Sequence, residues 1–187
     1  MDELIILDSI EKYNRLYGLE TLHPMVAVID LSKATVWPTH FKMNYGIYAL
    51  YLKDIKCGDI TYGRQPYDYQ EGTIVSFAPG QVAEVNMAPD TRPVAHGVLF
   101  HPDFIHGTAL GQEIKKCTCI SHESGQALHV SEEERQAAMD CFQRIEAELR
   151  HHTDRHSRRL VTGNIGLLLD YCMRFYERQF TTREAST

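Results

Sequence analysis

The sequence predicts a mainly β domain with a pair of antiparallel helices behind it, and three observations carry that prediction. Residues 67–85, YDYQEGTIVSFAPGQVAEV, place a short apolar run after Glu71-Gly72, a Pro79-Gly80 turn, and a second run from Val82 to Val85. That is a strand–turn–strand pattern. From Met25 to about His101, short β-rich segments recur between turn clusters, as in a sandwich or barrel. After His101-Pro102 the apolar period becomes helical, in two stripes joined by a short polar link.

The elements follow in order. Residues 2–17 predict a helix, because Ile6, Ile10, Tyr13 and Tyr17 recur at spacings of 4, 3 and 4, and Gly18 stands where it would cap the end. His23-Pro24 stops any continuation, and Met25–Leu31 predicts the first strand. Further strands are predicted at Phe41–Leu52, Asp59–Tyr62, Gly72–Ala78, Val82–Val85 and Ala95–His101. Turns fall at Lys56–Gly58, Ala78–Gly80 and Ala88–Pro93, and residues 102–116 predict a short helix with loops. Ser131-Glu132-Glu133-Glu134 is a capping box, with Ser131 as N-cap. It opens a helix to about Arg150 whose stripe is Ala138, Phe142, Ile145 and Leu149. A second helix runs from about Ser157 to Phe180, with Val161, Ile165, Leu168, Cys172 and Phe175 as its stripe. Leu160, Leu167 and Tyr171 widen that stripe. An arc so broad belongs either to a well-buried core helix or to one that keeps a second face for another subunit.

Composition excludes several classes. At 187 residues, 43% hydrophobic and 24% charged, the chain is an ordinary globular domain able to bury one good core. No apolar run approaches the roughly 20 residues of a membrane span. The start, MDELIILDSIEKY, is acidic and amphipathic and is no secretory signal. With 25 acidic against 19 basic residues, the chain is not expected to hold nucleic acid by itself. Its five cysteines, Cys57, Cys117, Cys119, Cys141 and Cys172, are expected to be reduced thiols in a cytoplasmic protein. Cys117-x-Cys119 lacks the second pair that a zinc site needs, and Cys141 and Cys172 fall on apolar stripes. His151, His152 and His156 read as a solvated link that suits a helix C-terminus. No phosphate loop, nucleophile elbow or kinase motif is present.

The APGQV turn resembles that of cupin-like β-barrels (the double-stranded β-helix), and this is the fold expected for residues 25–116. In metal-using members a histidine follows the turn, and here Ala83 takes that place. Their Pro-His-x-His piece corresponds to Thr39-His40-Phe41-Lys42-Met43-Asn44-Tyr45-Gly46. The four ligand positions then hold His40, Lys42, Gly46 and Ala83, and a cationic Lys42 would oppose a metal. No metal and no cofactor are expected. If His40 and Lys42 face inward, period 2 turns Tyr48 and Leu50 inward as well. That interior suits a small ligand with an anionic or hydroxyl group; otherwise Lys42 snorkels to the mouth and Tyr48 only fills the core. Tyr62, Arg64, Tyr67 and Tyr69 form an aromatic patch around one arginine. The patch fits a sugar, nucleoside or carboxylate site, and a stacked arginine on a surface loop gives the same pattern. Trp37, just before Pro38, either lids a pocket or plugs the barrel end.

EGTIVSFAPGQV, GVLFHPDFIHGTALG, SHESGQALHVSEEERQ and NIGLLLDYCMRFYERQFTTRE occur in this order between residues 71 and 184, within a resemblance that covers about residues 19–184. Together they resemble the N-terminal effector-sensing domain of AraC-type transcription regulators. The resemblance implies a cupin barrel that binds a small effector and a trailing helix pair that dimerises. It also implies a separate C-terminal helix-turn-helix domain that binds DNA, and no basic pattern of that kind follows Phe180. The polar end Thr181–Thr187 fits either a cut at a domain boundary or a natural tail.

The expected organisation is one sensor domain. Residues 1–24 form an N-terminal helix or arm, 25–116 the cupin-like barrel with its short helix, and 117–187 the helical dimerisation part. The effector, a sugar or a carboxylate-bearing molecule, is expected against His40, Lys42, Tyr48, Arg64, Tyr67, Tyr69 and Trp37. A homodimer is expected through Leu160, Leu167 and Tyr171. A stand-alone cupin enzyme, an isomerase or a dioxygenase, is the alternative, and a barrel filled solid for dimerisation alone is the third reading.

Overall fold

In HFKMNY, residues 40–45, polar and apolar side chains alternate, and the strand they form buries only Phe41, Met43 and Tyr45. The computed structural model describes residues 3–53, 59–62, 65–66, 72–89, 92, 94–120 and 127–185, with 59–62, 65–66 and 182–185 described by backbone alone. The strands are β1 (Glu3–Leu7), β2 (Val26–Asp30), β3 (His40–Tyr45), β4 (Tyr48–Lys53), β5 (Asp59–Tyr62), β6 (Gln65–Pro66), β7 (Thr73–Phe77), β8 (Val82–Asn86), β9 (Ala95–Phe100) and β10 (Leu128–His129). The helices are α1 (Ile10–Tyr17), α2 (Pro102–Ile105), α3 (Ala109–Glu113), α4 (Glu132–Arg150) and α5 (Ser157–Ala185).

The strands make two five-stranded sheets, in the orders β1-β3-β8-β5-β6 and β10-β7-β4-β9-β2. Among the described residues the sheets stay separate, so the β part is an open sandwich and not the closed barrel expected. Among the described residues helix also outweighs strand, 44% against 26%, which corrects the expectation of a mainly β chain. The excess lies in α4, of 19 residues, and α5, of 29, which runs about a turn past Phe180.

The first sheet is buried on one face, the second on both. Between the sheets Phe41, Met43 and Tyr45 meet Ala49, Tyr51, Val75 and Phe77. On the far side of the second sheet, Leu50, Leu52, Ile74 and Phe100 pack under α4 and α5. A strand covered on both faces reads as a continuous apolar run, and YALYLK of β4 does so, where β3 alternates.

Phe41–Leu52 is two strands, not one. The chain leaves the first sheet at Gly46 and enters the second at Tyr48. The Gly46 N–H donates to Leu7 O at 2.7 Å, and a Cβ at Gly46 would stand 2.9 Å from that oxygen. The odd residues keep facing the inter-sheet core through the crossing. The Pro79-Gly80 turn likewise carries the chain from β7 in the second sheet to β8 in the first. The two crossings are tied together: Tyr45 N donates to Gln81 O (2.8 Å) and Gly80 N to Tyr45 O (2.7 Å).

The N-terminus corrects the helix expected over 2–17. Leu4-Ile5-Ile6-Leu7 is an apolar, β-branched run and forms β1, parallel to β3. Ser9 then caps α1, accepting from Lys12 N at 3.2 Å, and Gly18 closes the helix in the left-handed conformation. Ile6, counted in the helical stripe, is exposed on the outer face of β1. Ile10, Tyr13 and Tyr17 of α1 close one end of the sandwich.

Beyond the sheets, local signals match the sequence closely. Ser131 Oγ accepts from Glu134 N and Glu134 Oε1 from Ser131 N, a complete capping box. The predicted stripes of α4 and α5 are buried against the second sheet, with Leu149 half-buried. Arg178 near the end of α5 reaches Glu134 at the start of α4 (3.0 Å), as an antiparallel pair requires. Gln179 accepts from His129 N and donates to Ala127 O, fastening β10 to α5. Among the described residues no helix is long and apolar enough to cross a membrane.

Candidate functional site

The odd-numbered residues of β3 and β4 line a cavity of about 40 Å³ between the sheets. Met43, Tyr45, Tyr51 and Lys53 come from these two strands, Ala83 and Val85 from β8, and Tyr13 and Tyr17 from α1. Tyr51 sits opposite Gly97 of β9, where a Cβ would stand 2.9 Å from the tyrosine ring. Only glycine leaves that ring its place. Tyr45 stacks on Phe77, with ring centroids 4.5 Å apart and planes 6° from parallel.

Three hydroxyls run in line through this site. Tyr45 Oη and Tyr51 Oη are 3.1 Å apart, and Tyr51 donates to Tyr13 Oη at 2.8 Å. Burial, with Tyr17 and Tyr45 close by, pushes Tyr13 well above the usual tyrosine range; burial, with Tyr13 close by, does the same for Tyr51. Both are therefore neutral hydrogen-bond donors at physiological pH. Lys53 lines the same cavity, with Nζ 5.7 Å from the centre of the Tyr51 ring.

Trp37 lies on the cavity wall. The Arg92 guanidinium sits 4.0 Å over its ring, while the indole Nε1 is buried without a hydrogen-bond partner.

His40, Lys42 and Tyr48 are not in the cavity, which corrects the expected facing by one residue. His40 is exposed on the outer face of the first sheet, its Nδ1 3.0 Å from Asn86 Oδ1. Lys42 stands on that outer face between Leu4 and Glu84. Tyr48 turns to the helix side, stacked on Phe100 at 5.0 Å, and burial raises its pKa. A slip of one residue turns every side chain of a strand to the opposite face. The same parity puts Ala83 inside and His40 outside, so the four supposed ligand positions do not converge. Among the described residues no group of three or more His, Cys, Asp or Glu gathers to hold a metal. Arg64, Tyr67 and Tyr69 lie outside the described residues, as does the side chain of Tyr62.

Tyr13, Tyr45, Tyr51 and Lys53 were missed in the sequence reading. The signal for Tyr45 and Tyr51 is the alternation itself, since Phe41, Met43, Tyr45, Ile47, Ala49 and Tyr51 are all apolar or aromatic.

A wider, open groove of about 920 Å³ runs between α3 and α5. Its rim mixes Arg155, Arg159 and Lys116 with Glu113 and Asp170. The Arg158 guanidinium is already committed to Phe104 O and His106 O. The cavity between the sheets is less open and has polar groups converging on it, which makes it the better candidate despite its size. The thiols of Cys117 and Cys119 lie beneath the helices with Sγ atoms 2.6 Å apart. Its contact with Cys119 and burial raise the Cys117 pKa far above the usual thiol value. The Cys117 contact lowers that of Cys119, but Cys172 and burial outweigh it. Thiols held protonated in this way are poor nucleophiles.

On α5, Leu160 is 47% and Leu167 36% exposed, while Tyr171 is half-buried and stacked on Phe175. Gly163 and Gly166 have open space where a Cβ would stand.

No protein-family model matches the chain. No curated protein is similar to it by sequence.

Proposed function

We propose that this chain is the small-molecule-sensing and dimerising module of an AraC-type transcription regulator. DNA contacts would be made by a helix-turn-helix domain outside these residues. In this reading the sandwich is a cupin-like double-stranded β-helix with open edges, and its paired crossings at Gly46 and Pro79-Gly80 support that. The observation that carries the reading is the aromatic cavity walled by both sheets and by Tyr13 and Tyr17 of α1. A site walled in part by a terminal helix couples occupancy to the position of that helix, as a sensor requires. The enzyme alternative is less well supported. Tyr13 and Tyr51 are held neutral far from physiological pH, whereas a general acid or base works best with a pKa near it.

Thermal unfolding in the presence of a library of small polar compounds tests the sensor. At least one compound should raise the midpoint of wild type in a dose-dependent way. Ala83→Val, which fills the cavity, should abolish that response. Compounds that stabilise the filled variant equally, or a library without effect, would remove the cavity as an effector site.

The dimer is proposed through the outer face of α5. Leu160, Leu167 and the open glycines between them offer a surface on which a second α5 can approach closely. By light scattering at tens of micromolar, wild type should be a dimer and Leu167→Glu a folded monomer. Leu167 is outside the buried stripe, so unfolding of the variant would place it in the core and overturn the assignment.

A further inference from the structure

The polar atoms that face the inter-sheet cavity are mismatched in kind. Tyr51 donates its one proton to Tyr13, and among the described residues the Tyr13 proton has no acceptor. Tyr13 is 1% exposed, so bulk water does not supply one. The Trp37 indole N–H is the second such donor, buried and without an acceptor. An indole nitrogen can only donate. Buried donors left unmatched are rare, because each forfeits the hydrogen bond it had in water. Two of them on one small cavity point to a missing group.

That group must accept and need not donate. Lys53 is the only formally charged residue among the described ones that line the cavity, and no Asp or Glu is among them. A water molecule answers the donors poorly, since it brings two protons that need acceptors of their own. A carboxylate is acceptor-only, with about four lone-pair positions. Size narrows the choice further. One water needs about 10–15 Å³ by the measure that makes this cavity about 40 Å³, so it holds about three or four non-hydrogen atoms. The rest of the wall, with Met43, Ala83, Val85 and Met87, is apolar and suits an alkyl end.

We infer that the effector is a monocarboxylate of one or two carbons, accepting from Tyr13 and Trp37 and resting its carbon end on the methionine side. The inference rests on the cavity being the effector site. It also gives the signal a route, because a carboxylate that recruits Tyr13 holds α1 against the sandwich.

The test is thermal unfolding of the full chain with sodium formate or acetate at millimolar concentration. Sodium chloride at matched ionic strength, and ethanol, 1-propanol and acetamide, serve as comparisons. At least one carboxylate should raise the midpoint, and chloride and the neutral compounds should not. Tyr13→Phe and Trp37→Phe should each weaken the apparent affinity about tenfold, the worth of one hydrogen bond to a charged group. Each variant is referred to its own ligand-free midpoint, so a change in basal stability does not enter. If a neutral compound stabilises wild type and no carboxylate does, the ligand class is wrong while the sensor stands. A carboxylate effect that is unchanged in both variants overturns the assignment of the donors. If none of these compounds stabilises the chain, the carboxylate assignment falls, and the compound library alone then decides the sensor reading.

Discussion

The second sheet separates two cores that differ in chemistry. On its helix side, Leu50, Ile74, Val98 and Phe100 meet Phe142, Ile145, Ile165 and Leu168, nearly all aliphatic or aromatic hydrocarbon. On its other side, the space between the sheets holds Tyr13, Tyr45 and Tyr51, joined through their hydroxyls, with Lys53 and Trp37 around a void. The first core does what stability asks and little else. The second keeps polar groups and empty space where hydrocarbon would pack better, and a fold retains such costs mainly where a site needs them.

A pair of identical substitutions can break that comparison. Ala83 and Ala138 are both fully buried, one on the cavity and one in the helix-side core. In Ala138→Val, two added carbons have no space, and a β-branched residue enters a helix. The expected loss is about 1–3 kcal/mol. In Ala83→Val, the same carbons enter the void on a strand that favours valine, and a gain of about 0.5–1 kcal/mol is expected. Urea denaturation of the two variants checks both signs. If Ala83→Val destabilises as much as Ala138→Val, the cavity is not available space and the two cores are packed alike.

The same division explains what could be read from the sequence. The capping box at Ser131 and the stripes of α4 and α5 are local patterns of one period, and the structure keeps them. The inter-sheet core was legible in principle. In HFKMNYGIYALY the odd positions are apolar or aromatic throughout, whereas aligning His40 and Lys42 on ligand positions selected the even ones. The crossing at Gly46 was not legible, because the alternation runs through it as it would through one long strand. At the N-terminus two signals competed. Spacing from Ile6 to Tyr17 fits a helix, while the Leu4–Leu7 run and the Ser9 cap fit a strand followed by a shorter helix. Pairing with β3 decided for the strand, and that is a long-range effect. The meeting of Tyr13 with Tyr51 is likewise a product of topology.

The effect of the hydroxyls at neutral pH is small, and it should change in alkali. Tyr13 and Tyr51 lie between the sheets and Cys117 and Cys119 under the helices, and in all four the fold raises the pKa above the ordinary values of 10.0 and 9.0. The fold thus prefers their neutral forms. That preference contributes in full below the unfolded pKa and is lost as pH rises through it, since the unfolded chain ionises first. Stability should therefore begin to fall near pH 9 through the thiols and more steeply from near pH 10 through the tyrosines. Each group adds a slope of about 1.4 kcal/mol per pH unit. Tyr13→Phe should lower stability by about 1 kcal/mol at pH 7, because it takes away the acceptor of the Tyr51 hydroxyl proton. Above pH 10 it should lessen the slope by one group and leave the interval from pH 9 to 10 unchanged. Cys117→Ala should lessen the slope from pH 9 upward and leave the tyrosine step in place. Urea midpoints measured from pH 7 to 11 under reducing conditions resolve the two steps. A slope above pH 10 that Tyr13→Phe does not alter would mean that this hydroxyl meets water in solution, and the contrast between the two cores would not hold at its most buried donor.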